Sequence, residues 1–256
     1  MKNLNKLFLF VIISLLTVSV NAQSVDEIIE NYFENTGSAK SWAEVESIKK
    51  NMSVNQMGME LPIEQYQSSD RIYTKVSIQG MEIKQNVFDG ETFWSTNWST
   101  MKAEKSDQKN VQIVKDELAE FPDPFLNYKK NGFIVELMGK EIVDGTDTFK
   151  VKLIKKPMLV DGEEVPNVSI YYFDSENFIP IMVHEEVMSG QLKGTIIEVK
   201  MNDYQEVEGL YMPFSMSQGV KDQPGQPITI TSIELNVKAD ESEFRFPETV
   251  TKEENN

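Results

Sequence analysis

The chain has 256 residues, 41 acidic against 25 basic side chains, one histidine and no cysteine, for a formal net charge of −16. So acidic a chain is a poor partner for nucleic acid or an anionic membrane surface, and the missing cysteines exclude disulfides and thiolate chemistry. One histidine without cysteine cannot build a zinc site of the usual nitrogen or sulfur type.

Met1-Lys2-Asn3-Leu4-Asn5-Lys6 is a short basic stretch, followed by an apolar run from Leu7 to Val20 and then Asn21-Ala22. This is the pattern of a secretory signal peptide cut after Ala22, since the run falls short of the ~20 residues of a membrane span. The expected product is soluble and periplasmic, and losing Lys2 and Lys6 takes the charge from −16 to −18. No Pro/Gly/Ser linker divides the remainder, so residues 23–247 are expected to form one domain, a monomer, followed by a disordered tail at 248–256.

Ser24-Val25-Asp26-Glu27 reads as a capping box. Val25, Ile28, Ile29, Tyr32 and Phe33 then repeat at helical spacing, with Gly37 to close the helix in a left-handed cap. Ser41-Trp42-Ala43-Glu44 predicts a second, much shorter helix. From Ile48 to Gln67 the pattern has period two, with a turn at Met57-Gly58 that pairs Gln56 with Met59 and puts Met52, Val54, Met59, Leu61 and Ile63 on one face.

Two further hairpins follow. Ile72–Ile78 turns at Gln79-Gly80 into Met81–Phe88, which turns at Asp89-Gly90 into Glu91–Thr96. Two-residue turns ending in Gly suit type I′ geometry, pairing Ile78 with Met81 and Phe88 with Glu91. This register predicts one apolar face made of Ile72, Val76, Ile78, Met81, Ile83, Val87 and Trp94. Ser106-Asp107 then precedes Val111, Val114, Leu118 and Phe121 at helical spacing, a second amphipathic helix ended by Pro122 and Pro124.

The second half predicts strands from Phe133 to Val143, Thr148 to Lys155, Val168 to Phe173, Ile179 to Met188, a long one to about Tyr204, Tyr211 to Gln218 and Ile228 to Val237. In the last, Ile228 and Ile230 sit at even positions and Ile233, Leu235 and Val237 at odd ones, so a bulge near Ser232 is required to restore a common face. Phe244-Arg245-Phe246-Pro247 makes a short apolar hook. The whole is an antiparallel meander of about ten or eleven strands interrupted by one helical segment, a mainly β member of the α+β class. The recurrent Asp-Gly pairs are turn chemistry rather than calcium loops.

His184 reads as a structural or surface histidine. No Ser lies in a Gly-x-Ser-x-Gly elbow and no glycine-rich phosphate loop is present, so no catalytic residue, metal or cofactor is assigned and the chain is not expected to be an enzyme. Methionines cluster near the first sheet half, at Met52, Met57, Met59, Met81 and Met101, and Met suits surfaces that repack around variable guests. The apolar face exceeds what a few short helices readily cover. It can line a cavity, or be an ordinary filled core.

The N-terminal helix, the hairpin Val87-Phe88-Asp89-Gly90-Glu91-Thr92-Phe93-Trp94, Tyr171-Tyr172-Phe173-Asp174, Gly209-Leu210-Tyr211-Met212-Pro213 and the terminal Phe244-Arg245-Phe246-Pro247 together resemble the LolA/LolB-like family. That family comprises periplasmic lipoprotein carriers and related lipid-binding envelope proteins. The resemblance implies an incomplete barrel wrapped around helices, with an apolar pocket for lipid or lipoprotein acyl chains and donor and acceptor proteins at the inner and outer membranes. On this reading Ile72, Val76, Ile78, Met81, Ile83, Val87 and Trp94 line the pocket, and Val111, Val114, Leu118 and Phe121 cover it. The alternative is an envelope interaction or assembly module with the same fold and a filled core. Lipoprotein carriers of this kind use an arginine just before a Pro near the strand corresponding to Ile72–Ile78. Arg71 is displaced from that pattern and no Pro follows it, so it is not given that role.

Overall fold

The computed structural model describes residues 23–247 except Met57, Asp161 and Ser189. The expected signal peptide, the expected tail at 248–256 and the first residues of the turns at Met57-Gly58, Asp161-Gly162 and Ser189-Gly190 lie outside the described residues. In chain order come α1 (Val25–Asn35), α2 (Ala39–Ala43), β1 (Ser47–Gln56), β2 (Met59–Ser68), β3 (Ile72–Ile78), β4 (Met81–Phe88), β5 (Phe93–Thr96) and β6 (Ala103–Lys105). The helices α3 (Gln108–Leu118) and α4 (Tyr128–Asn131) follow. After them come β7 (Ile134–Val143), β8 (Thr146–Ile154), β9 (Met158–Val160), β10 (Glu163–Val165), β11 (Val168–Asp174), β12 (Pro180–Glu186), β13 (Ile196–Val207), β14 (Leu210–Val220) and β15 (Gln226–Leu235).

Thirteen strands form one antiparallel sheet in the order β6-β5-β4-β3-β2-β1-β15-β14-β13-β12-β11-β8-β7, and β9 and β10 form a separate hairpin. Neighbours in the sheet are neighbours in sequence except at two places, β1 on β15 and β11 on β8, while the two edges β6 and β7 follow each other in the chain through α3 and α4 without pairing. The sheet is therefore an incomplete barrel. The chain has more strands than the alternation predicts, in part because β6, at one edge of the sheet, and β9 and β10, in the separate hairpin, are three-residue pieces in stretches that carry no period-two pattern. No helix among the described residues is long and apolar enough to cross a membrane.

Local chemistry explains most element ends. The Ser24 hydroxyl accepts from Glu27 N at 3.2 Å while Ser24 N donates to the Glu27 carboxylate at 2.8 Å, the reciprocal capping box. Asp107 caps α3 by accepting from Asn110 N at 2.9 Å. Two tight hairpins hold as read, with Gln56 opposite Met59 and Ile78 opposite Met81, and the turn at Asp144-Gly145 is tighter than expected, Val143 pairing with Thr146 so that the next strand starts two residues before Thr148. The required bulge in β15 is also present: Ser232 faces Asn51 and Ile230 faces Met52, leaving Thr231 as the extra residue.

The Asp89-Gly90 hairpin differs. Phe88 pairs with Phe93 and not with Glu91, because the Asp89 carboxylate accepts from both Glu91 N at 2.8 Å and Thr92 N at 2.6 Å and builds a four-residue loop.

Candidate functional site

Register across β15, β1, β2, β3 and β4 arranges one face of the sheet in three rows. The first is Leu235, Ile48, Gln67, Ile72 and Phe88. The second is Ile233, Lys50, Gln65, Thr74 and Gln85, and the third is Ile230, Met52, Ile63, Val76 and Ile83. This is the inner face, because both long helices pack on it. Ile28, Ile29, Tyr32 and Phe33 of α1 join Ile48, Ile230, Ile233 and Leu235 in the main core, together with Val151, Leu153 and Phe173 from the other sheet half.

The end of α1 is locked to the turn between β13 and β14. Tyr211 N donates to the Thr36 carbonyl at 3.1 Å, and a Cβ at Gly37 would stand 2.3 Å from the Gly209 carbonyl oxygen. With φ at +115°, only glycine fits there.

Helix α3 covers the far corner. Val111, Val114 and Leu118, at helical spacing, pack on Phe88 with Ile72 and Phe93. Phe121 instead packs against the main core. Val76 and Ile83 are buried on the inner face, Ile78 is half-buried, and Met81 is exposed at the hairpin tip. Of the lining residues read from the sequence, Ile72, Val76, Ile78, Met81 and Ile83 thus share the inner face, with Val111, Val114 and Leu118 above its end.

Val87 and Trp94 do not share it. Pairing shifts between Ile72 and Thr74, and Asn86 adopts a left-handed φ of 50° with its N–H donating to Ser95 Oγ at 2.9 Å. This bulge turns the strand by one residue, so Phe88 replaces Val87 on the inner face and Phe93 replaces Trp94. Val87 and Trp94 lie on the outer face with Tyr66, Tyr73 and Phe244. There the Trp94 indole N–H donates to the Phe244 carbonyl at 3.1 Å, and Arg71 grips Glu241 with Nη1 at 2.7 and 2.8 Å from the two carboxylate oxygens. The C-terminal hook covers them, and Arg71 serves the hook.

Away from the region covered by α1, the inner face is not closed. Met52, Val54, Leu61, Ile63, Met216 and Ile228 are half-buried rather than buried. A cleft of about 670 Å³ opens beside α3, between Ile113, Glu117 and Glu120 of that segment, Met158 and Val160 of the β9 hairpin, and Val168, Ser169, Glu185 and Ile196 of the sheet. Its walls are mainly apolar, with a few polar groups held in fixed places. Lys155 Nζ stands 3.0 Å from a Glu120 oxygen, and Ser169 Oγ donates to Glu185 at 2.8 Å. Burial pushes the Glu120 carboxyl up despite Lys155. Elsewhere Tyr32 Oη donates to Asp123 at 2.7 Å, tying α1 to the segment after α3.

His184 also borders the cleft. It lies on the outer face, nearly buried, between the Tyr172 hydroxyl at 3.2 Å and the Glu198 carboxylate at 2.9 Å. Among the described residues no group of three acidic, histidine or cysteine side chains could hold a metal ion. The polar row Lys50, Gln65, Thr74 and Gln85 is absent from the sequence reading. Its signal was there, a lysine at the apolar parity of Ile48, Lys50, Met52 and Val54.

No known family profile matches the sequence, and no curated protein does. Solved structures do. A LolA superfamily protein from Nitrosomonas europaea aligns with a TM-score of 0.52 at 12% identity, over 87% of this chain and 97% of that one. A DUF1329 family protein from Desulfovibrio piger gives 0.52 at 11% identity, over 87% and 98%. A putative outer membrane lipoprotein-sorting protein domain from Vibrio parahaemolyticus gives 0.48 at 11% identity, over 84% and 97%. The first two establish the fold as LolA-like, a large curved antiparallel sheet left open and served by few helices.

Proposed function

We propose that the protein is an exported carrier that shelters acyl chains of lipids or lipoproteins between the inner face and α3 on their way toward the outer membrane, receiving and releasing them through donor and acceptor proteins. The observation that carries this reading is the open part of the inner face, where Met52, Val54, Leu61, Ile63, Met216 and Ile228 remain half-buried; a cleft of about 670 Å³ with its own lining opens next to α3. A filled core would bury such side chains, at roughly 25 cal/mol per Å² of apolar surface. A cleft of this size falls in the range of pockets that take small ligands. The guest has the same need. At about 0.8 kcal/mol per methylene, a chain of ~15 methylenes costs roughly 12 kcal/mol to leave in water.

Ile72, Val76, Ile78, Met81 and Ile83 belong to the lining in this reading, and Val111, Val114, Leu118 and Phe121 to the cover. Helix α3 suits a lid because only three buried side chains of its own hold it down. The LolA-like fold agrees with a carrier and assigns no cargo. The test is native mass spectrometry of the protein purified from the cell envelope. The expected result is an added mass matching an acyl lipid or a lipoprotein. A bare chain, together with no binding of a fluorescent fatty acid, would overturn the proposal.

A further inference from the structure

The polar row interrupts the inner face between two rows that are mostly apolar, and Lys50 is its only charge. The neighbouring lysines on the outer face are all paired. Lys49 lies 3.2 Å and Lys75 2.7 Å from Glu64, and Lys75 and Lys84 share Glu243 at 3.1 and 2.9 Å. Lys50, one residue from Lys49, points the other way, between Ile233 and Gln65 across the sheet and Ile48 and Met52 along its own strand. In a chain where acids outnumber bases 41 to 25, no carboxylate among the described residues reaches it. Nor is its ammonium wholly sealed in. No enclosed side-chain nitrogen or oxygen among the described residues lacks a partner, so the unpaired Nζ of this half-buried residue keeps some accessible surface on the inner face. Burial pulls this ammonium below the ordinary lysine range, the direction expected of a cation held short of both water and a counter-ion. Beside it Gln65 Nε2 and Thr74 Oγ1 stand 3.4 Å apart, a long contact that leaves both free to turn toward a ligand.

We infer that Lys50, with Gln65 and Thr74, is a head-group site that selects amphiphiles with an anionic head, the acyl tail lying over Met52, Ile63, Leu61 and Ile228. The inference rests on the carrier reading and narrows its cargo. A neutral polar head could meet Gln65 and Thr74 but would leave Lys50 unpaired, whereas an acidic head forms a charge-assisted bond in a site of low dielectric. The protein's own negative charge repels anions at long range. Selectivity for an acid therefore has to come from a local cation such as this one.

The experiment is displacement of a neutral fluorescent apolar probe from the protein by palmitate, by hexadecanol and by hexadecyl phosphate at mildly alkaline pH. Wild type is expected to bind the two acids about tenfold or more better than the alcohol. Lys50→Met is expected to lose that preference while keeping its affinity for hexadecanol, and Lys50→Arg to retain it. The ratio of palmitate to hexadecyl phosphate tells a carboxylate head from a phosphate head, and either order supports the site. Equal binding of acids and alcohol by wild type, or a preference that survives in Lys50→Met, overturns the head-group site and leaves the carrier reading standing. Failure of all three ligands to displace the probe overturns both. Unchanged circular dichroism of the Met variant excludes misfolding as the source of a loss, and the Arg variant provides a second check.

Discussion

Asp123 is a carboxyl whose ionisation the fold resists. Burial drives its carboxyl up from 3.8 to about 6, and the bonds it accepts from Tyr32 Oη at 2.7 Å and Phe125 N at 2.8 Å offset only part of this. A carboxyl with a raised folded-state pKa binds its proton more tightly when folded. Its contribution to stability is complete below the unfolded value of 3.8 and is lost as pH rises through about 6. Asp123→Asn should accordingly flatten the pH dependence of the urea midpoint across that window and raise stability above it. An unchanged profile would show that Asp123 does not titrate there. At this scale legibility depended on whether apolar parity changed visibly. The β15 bulge was readable because Ile230 and Ile233 fall on opposite parities. The β4 bulge was not, because Val87 and Phe88 are both apolar and either satisfies an inner or an outer face. Asn86, tolerant of the left-handed region, was the only local hint.

Among the elements, the C-terminal hook depends most on one side chain. Phe244 is 2% exposed, stands edge-on to Tyr66 and Tyr73 with ring centroids 5.8 and 5.4 Å away, and carries the Arg71 guanidinium above its ring. Phe244→Ala should cost about 3–5 kcal/mol and shift tryptophan emission to the red as Trp94 is wetted, while ligand binding on the opposite face persists. Coincident loss of stability and of ligand binding would mean that the two faces are energetically one unit. Helices and tight hairpins were legible because their signals are local, in the Ser24 box and in turns such as Gln79-Gly80. The Asp89 loop was misread because a carboxylate that captures two amides competes with the two-residue turn the same letters allow. The outward role of the hook was invisible, since it depends on which face Trp94 takes.

On the scale of the whole molecule, the meander and its helical interruption followed from period and turn spacing, and the open barrel from resemblance. Absent from any local pattern was the pairing of β1 with β15, which joins residues 48–54 to residues 228–235 in the middle of the sheet. Every other contact between adjacent strands forms by closing a short loop or, for β8 and β11, one of moderate length. This one joins residues 54 and 228 at its nearest pair, the longest loop of any pairing in the sheet, at the greatest entropic cost. In refolding followed by pulsed hydrogen exchange, amides of β3–β4 and β13–β14 should be protected before those of β1 and β15, and early protection of β1 against β15 would contradict this order. A chain emerging N-terminus first completes β1 through β6 long before Gln226–Leu235 appears. Throughout that interval it displays an unpaired strand edge next to an uncovered apolar face, the combination most prone to aggregation. The seam in the middle of the sheet therefore acts as a clock: the nascent protein stays exposed until its last strand arrives.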